Sequence, residues 1–313
     1  MASSSPDVVA AGTEHLQVAT KGMAAYRAPC LSQPHKARQA IRDAYAGKIA
    51  PLIGFFFAFP TLPTARVIAQ LHADWVFIDW EHSSCDVETM TNVVHAISYV
   101  SEGKTIPFVR LPNHDHGNIA FALDAGASII VPQVDTVEQA RHIVSATKFG
   151  AARGGTRSAP PCRWLPGSRA DAPLDPSRSL WANLNEQAAL VIQAESERGV
   201  RNLDAILGAV GDDVDAVFLG VLDLRISMGL DGLWGSEPDF LAVVRLYEET
   251  LRKHRKPGAG PCLDGNWRRG ANKTMTVVTG DFVALLGQRA VLSGARENLP
   301  ASDKSETWAT TDV

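Results

Sequence analysis

Short apolar runs, each followed by a stretch with helical spacing, recur from Leu52 onward, and this alternation limits the possible folds more than any other feature of the chain. The runs read as strands at Leu52–Ala58, Trp75–Ile78, Ile106–Val109, Ser128–Val131, Ala188–Gln193, Ala216–Leu219, Gly258–Leu263 and Phe282–Leu286. Helices are expected between them at Thr64–His72, Asp86–Val100, Gly117–Ala125, Val137–Lys148, Val200–Val210, Asp239–His254, near Ala271–Val278, and in a last segment ending at about Asn298. Several of the runs are apolar without alternation, the pattern of strands covered on both faces by helices. About eight strand–helix units over about 250 residues is the arithmetic of an α/β TIM (β/α)₈ barrel. A doubly wound open sheet is the alternative. No G-x-G-x-x-G or G-x-x-x-x-G-K-[ST] follows any expected strand, so the usual phosphate loop of a nucleotide fold is missing.

The rest of the chain frames this core. Residues 1–34 are mixed and aperiodic and read as a flexible leader; 35–299 read as one barrel domain; 300–313 read as a polar tail. A helix over His35–Ala46 is expected to cap the bottom of the barrel. Phe149–Glu186 breaks the rhythm with a Gly/Pro/Arg/Ser-rich connection, long enough to be a lid. A net charge of −4 and the absence of dense Lys/Arg runs argue against a nucleic-acid partner. The four cysteines are widely spaced, which suits reduced thiols in a cytoplasmic enzyme. The N-terminus lacks the pattern of a secretory signal, and no apolar run is long enough for a membrane span.

In a (β/α)₈ barrel the chemistry gathers where the strands end. The second strand ends in Asp79, Glu81 and His82; the third in Arg110, then Asn113, His114 and Asp115; the fourth in Gln133; the fifth in Gln193 and Glu195; the sixth in Gly220 and then Asp223. Glu195 and Asp223 are two carboxylates without a thiolate or His pair, which suits a hard divalent ion with water and substrate oxygens completing an octahedron. Each could instead form a salt bridge, with Arg198 or Arg225. Arg110 offers a planar fork for a substrate carboxylate or carbonyl oxygen, or a buried partner for Asp79 or Glu81. His82 beside two acids is a candidate general base. Backbone N–H groups of Gly220, Val221 and Leu222 could hold a carboxylate. His114 and His116 read as loop or helix-start residues.

At these residues the sequence resembles the HpcH/HpaI class II, metal-dependent aldolases, from about Pro51 to Asn298. The likeness is carried by F-I-D-W-E-H (77–82), F-V-R-L-P (108–112), V-P-Q-V (131–134), G-T-R-S-A-P-P (155–161), I-Q-A-E-S (192–196) and L-G-V-L-D-L-R-I-S-M (219–228). The Leu-Asp-x-Arg-x-Ser-Met form around Asp223 is similar to a fungal branch of the family, whereas the bacterial aldolases carry Gly-Pro-x-Asp-Leu-Ser. The resemblance implies a phosphoenolpyruvate/pyruvate-domain-like barrel with Mg²⁺ (Mn²⁺ or Co²⁺ as substitutes) on Glu195 and Asp223, and Arg110 on a 2-oxo acid. It places His82 near proton transfer, with Asp79 and Glu81 holding water and His82. It also implies a substrate pocket near Trp80, Gln193, Pro161 and Trp164, and a homo-hexamer built as a trimer of dimers. The implied reaction forms a pyruvate enolate. The first expectation is oxaloacetate decarboxylation coupled to C–C bond formation with a second substrate such as a 2-pyrone. The alternatives are cleavage of a 4-hydroxy-2-oxo acid to pyruvate and an aldehyde, or a silent barrel serving as a scaffold.

Overall fold

The computed structural model describes residues 22–28, 33–150, 154–164, 175, 177–263 and 273–299. Eight parallel strands close into a TIM barrel in chain order. They are β1 Leu52–Phe57, β2 Trp75–Asp79, β3 Ile106–Arg110, β4 Ser128–Val131, β5 Leu190–Ala194, β6 Ala216–Leu219, β7 Gly258–Pro261 and β8 Met275–Gly280. The helices are α1 Ala37–Tyr45, α2 Leu62–Ile68, α3 Val87–Val100, α4 His116–Asp124, α5 Val137–Thr147, α6 Leu180–Gln187, α7 Glu197–Val210, α8 Val221–Ser227, α9 Pro238–His254 and α10 Asp281–Asn298. Local sequence explains their starts. Thr61, Asp86, Asp115, Thr136, Ser179 and Ser196 each accept a backbone N–H from the first turn of the helix that follows.

The barrel is filled by aromatic side chains. Phe56 stacks on Phe77 with centroids 4.5 Å apart, Trp75 meets Phe108 edge-on at 5.5 Å, and Phe218 lies 5.6 Å from Phe77. A second apolar cluster lies outside the wall, between the strands and the helix layer. Ala37, Ala40, Ile41 and Ala44 of α1 join the inner cluster at the ends where the strands begin, so this helix closes the bottom as expected. Arg38 fastens it there, with Nε donating to Asp215 Oδ1 at 2.8 Å and Nη1 to the Asn185 carbonyl at 3.1 Å, both buried.

Three features differ from the sequence-based expectations. The expected eighth strand over Phe282–Leu286 lies inside α10, and the helix expected near Ala271–Val278 gives way to β8 over its C-terminal half, while 271 and 272 lie outside the described residues. Within the expected flexible leader, Gly22–Tyr26 forms a 3₁₀ turn whose Tyr26 is buried and donates its hydroxyl to Asp43 at 3.0 Å. The long connection to Glu186 is not structureless throughout, because α6 begins at Leu180. Residues 1–21, 29–32, 165–174 and 300–313 lie outside the described residues. No disulfide links Cys85, Cys162 and Cys262, the cysteines among the described residues. No described helix is long and apolar enough to cross a membrane.

The last helix is unlike the others. None of its residues is buried, and Leu285, Leu286, Val291 and Leu292 are each about 60% exposed (59%, 64%, 63% and 61%). Its first turn is anchored by the Asp281 carboxylate, which accepts the N–H groups of Ala58 and Phe59 at 2.9 Å each.

Gly54 faces the indole of Trp75, and a Cβ there would overlap the ring. Gly54→Ala is therefore expected to destabilise the fold by about 1–3 kcal/mol through overpacking. A urea titration checks this; an unchanged midpoint would mean that the ring moves aside freely.

Candidate active site

Side chains alternate across a barrel wall, so inward positions recur at every second residue. Trp75 and Phe77 point inward, and the same face of β2 ends in Asp79. Ile106 and Phe108 lead likewise to Arg110, Val191 to Gln193 and then Glu195, and Phe218 to Gly220. The polar groups thus sit on top of the aromatic filling, at the mouth where the strands end.

The β2–β3 register sets Asp79 directly beside Arg110. Arg110 donates Nε to Asp79 Oδ1 at 3.0 Å and Nη2 to Oδ2 at 2.8 Å, and its Nε lies 3.2 Å from Glu81 Oε2. Its guanidinium carbon stands 5.6 Å from the Phe56 centroid and 5.2 Å from that of Phe77. Burial works against the Arg110 charge, but the hydrogen bond and charge of Asp79, with Glu81 and Glu195, outweigh it and raise the pKa. Asp79 Oδ1 also accepts the N–H groups of Glu81 and His82, so one carboxylate organises the whole turn. His82 Nε2 lies 3.5 Å from Glu81 Oε2, and the imidazole is 63% exposed at the mouth.

Glu195 is buried. Its Oε1 accepts the backbone N–H of Gln133 and its Oε2 the side-chain amide of Gln193, both at 2.7 Å. Gln133 makes its bond from a left-handed backbone, φ +48, an unfavourable conformation for a residue other than glycine. A Cβ at Gly220 would collide with the Glu195 carboxylate, so glycine is required where β6 passes this side chain. Burial pushes the Glu195 carboxyl up to about 8; the Gln133 N–H and Arg110 oppose this, and the charges of Asp223 and Glu81 add to it. The Glu81 carboxyl is also raised, first by burial, with Asp79 and Asp223 reinforcing and Arg110 and His82 opposing.

Asp79, Glu81, Glu195 and Asp223 therefore act on one another around a single guanidinium. Four carboxylates against one Arg leave a surplus of three negative charges when all are ionised. That surplus fits a divalent cation, which would let Glu195 ionise despite its burial. Among the described residues no three His, Cys, Asp or Glu side chains form a ready-made cage. Glu195 and Asp223 can supply two oxygens, with the other positions left to water and substrate.

Other anticipated residues fall elsewhere. Val221 and Trp80 are buried in the outer cluster, and the Trp80 indole N–H is committed to the Cys85 carbonyl at 2.8 Å; both can offer the mouth only their backbone. Leu222 is half exposed beside Asp223. Pro161 is exposed and opens a 3₁₀ turn; the Trp164 side chain lies outside the described part of the structure. Of the alternative salt bridges, the Arg110 one is present. Arg225 pairs with Glu237 at 2.7 Å instead of with Asp223, and Arg198 forms no ion pair with Glu195. His114 and His116 bind the carbonyls of Pro132 and Thr156, at 2.6 and 3.1 Å, and so tie loops together. Sequence reasoning missed the Gln133 N–H as a Glu195 partner; its only signal was a polar residue at the end of β4.

Residues 52–256 match the family model described as HpcH/HpaI aldolase/citrate lyase. A 2-keto-3-deoxy-L-rhamnonate aldolase of Klebsiella pneumoniae is 33% identical over 210 residues, 66% of this chain and 72% of that protein. Among solved structures, macrophomate synthase superposes with a TM-score of 0.80 at 30% identity, covering 92% of this chain and 98% of its own. An HpcH/HpaI aldolase/citrate lyase family protein from Burkholderia cenocepacia gives 0.70 at 26% identity, covering 83% and 98%.

Removing one member of a buried ion pair leaves the other charge uncompensated. Asp79→Ala is expected to cost about 3–5 kcal/mol of stability for that reason. Chemical denaturation checks it, and a loss below about 1 kcal/mol, the value of an exposed pair, would mean that solvent reaches Arg110.

Proposed function

The chain belongs to the HpcH/HpaI aldolase/citrate lyase family and is a carbon–carbon lyase; we propose that it cleaves a 4-hydroxy-2-oxo acid to pyruvate and an aldehyde. The observation that carries this reading is the cluster of Glu81, Glu195 and Asp223 around the Asp79–Arg110 pair at the mouth. The aldolase reading stands ahead of the oxaloacetate one because the similar curated proteins are named as aldolases of a keto-deoxy acid. Glu195 and Asp223 would hold the metal, with Mg²⁺, Mn²⁺ or Co²⁺ as candidates. When bound, it supplies a Lewis acid for the keto and carboxylate oxygens of the substrate.

The protein groups do the rest. Arg110 is held by Asp79 and cannot swing away, so its charge is in place as negative charge develops on the keto oxygen. His82, next to Glu81, takes the proton of the 4-hydroxyl. The C3–C4 bond then breaks, the aldehyde departs, the pyruvate enolate takes a proton at C3 from water, and the exposed His82 returns its proton to solvent. Gln193, whose buried Oε1 has no hydrogen-bond partner among the described residues, and the Gly220–Leu222 backbone would orient the acid. Pro161 and Trp164 are assigned to the acceptor side.

The second reading is oxaloacetate decarboxylation with addition of the enolate to a second substrate such as a 2-pyrone. The extent of the superposition on macrophomate synthase favours it. The two readings separate at His82, because loss of CO₂ requires no hydroxyl proton to be removed. With both substrates supplied side by side, His82→Ala should lower pyruvate release from the hydroxy-oxo acid at least 10²-fold and leave oxaloacetate turnover within about threefold. Equal losses on both would assign His82 to a step that the two reactions share. Glu195→Gln, Asp223→Asn or EDTA should each abolish both activities, with Mg²⁺ or Mn²⁺ restoring the chelated enzyme. Arg110→Ala should cost about 10²-fold or more. Chelator-resistant turnover would exclude the metal assignment.

The working form is proposed to be a homo-oligomer, for which the family resemblance suggests a hexamer. Supporting this is α10, about 27 Å of helix with apolar side chains and no buried residue. A second copy of the chain is the proposed cover. Sedimentation should give a multimer that dissociates when Leu285, Leu286, Val291 and Leu292 are replaced by Gln; a wild-type monomer would refute the assembly.

A further inference from the structure

The two carboxylates assigned to the metal sit on different elements, so their separation depends on whatever fixes one element against the other. Glu195 directly follows β5 and stands two residues before Glu197, the first residue of α7; Asp223 lies in the first turn of α8. The backbone N–H groups in the first turn of a helix have no partner within it. In α7 that of Glu197 donates across to Ser227 Oγ at 3.0 Å, on α8. The same hydroxyl donates to the Leu224 carbonyl at 2.7 Å, one residue beyond Asp223. The stretches that carry Glu195 and Asp223 are thus bridged by one hydroxyl, in addition to the Gly220 N–H that donates to the Ala194 carbonyl at 3.2 Å.

The two elements are also fixed from behind. Ser196 Oγ donates to Asp135 Oδ1 at 2.6 Å and accepts Gly199 N–H at 2.8 Å, which sets the start of α7. On α8, Arg225 is almost fully buried. It donates Nε to the Gly232 carbonyl at 2.8 Å, and Nη1 and Nη2 to the Glu237 carboxylate at 2.7 and 2.9 Å. Its guanidinium stands 4.8 Å from the Phe240 ring centre. Arg225 therefore locks α8 to the loop and helix that follow, and Ser227 locks it to α7.

We propose that Ser227 is a positioning residue that sets the gap between Glu195 and Asp223, with Arg225 holding α8 in place for it. Of the Leu-Asp-x-Arg-x-Ser-Met run, Asp223 would face the metal, while Arg225 and Ser227 maintain the geometry. The inference rests on the metal assignment above. Ser227 is exposed, and alanine favours helix more than serine does, so Ser227→Ala should not unfold the protein. Threonine keeps a hydroxyl able to reach the carbonyl three residues back.

The test is Mn²⁺ binding to the full chain by equilibrium dialysis, without substrate, with the melting temperature as a control. Ser227→Ala should weaken binding about tenfold or more, as when a group supporting a ligand is lost, with the melting temperature unchanged. Ser227→Thr should stay within threefold of wild type. Binding by Ser227→Ala within twofold of wild type, while Glu195→Gln loses Mn²⁺, would overturn this inference and leave the metal site standing. Equal weakening in the Ala and Thr variants would overturn it too, since the hydroxyl would not be the cause. Wild type failing to bind, or Glu195→Gln binding as well as wild type, would remove the metal assignment itself.

Discussion

The Asp79–Arg110 ion pair, closed between neighbouring strands and seated on Phe56 and Phe77, is the contact on which the mouth of this barrel depends. A buried guanidinium without a carboxylate would be costly, and a buried carboxylate alone equally so. Once paired, the two form a polar floor above an aromatic filling. Asp79 then has lone pairs to spare for the N–H groups of Glu81 and His82, which fixes the turn bearing both. Glu195 lies near the same cation but is not neutralised by it, because Asp79 and Glu81 already claim that charge. Its pKa is raised first by burial and further by the charges of Asp223 and Glu81.

The first six strands were legible because helices cover them from outside and aromatics from inside, which leaves continuous apolar runs in the sequence. The last two gave weaker signals for physical reasons. In β7, Gly258, Gly260 and Pro261 supply little side chain to pack. β8 mixes Thr with Val and passes into α10 with no intervening turn residues, so its boundary leaves no trace. The apolar stretch after Asp281 read as a buried strand, yet it belongs to a helix whose leucines face outward. Apolarity signals a surface to be covered; it does not say whether the cover comes from the same chain.

The candidate site divides in the same way. Asp79, Arg110, Gln193 and Glu195 could be found by reading strand ends, because the alternation that buries Phe77, Phe108 and Val191 also turns the next inward residue to the mouth. Partners supplied by loops could not. Nothing in the sequence announces that Gln133 adopts a positive φ, that Gly220 is small because Glu195 leans on it, or that Arg225 reaches Glu237 instead of its neighbour Asp223. These depend on distances between elements far apart in the chain, and only the closed barrel sets them.

Aldol cleavage and decarboxylation both leave two electrons on the same carbon of a 2-oxo acid, and both need the charge on the keto oxygen to be met. A cluster built from β2, β3, β5 and α8 answers that common need whichever bond breaks. What differs between the reactions is the leaving fragment, and it departs toward residues that this cluster does not include. A barrel can therefore keep its charged mouth and change its chemistry by altering loops, which is why resemblance in fold reaches further than resemblance in activity. For this chain the exposed His82 is the group at that boundary, since it touches the charged cluster through Glu81 yet opens to solvent where a leaving aldehyde would pass. The proposed requirement for it in one reaction and not in the other would follow from that position at the edge of a cluster whose remaining members are proposed to serve both.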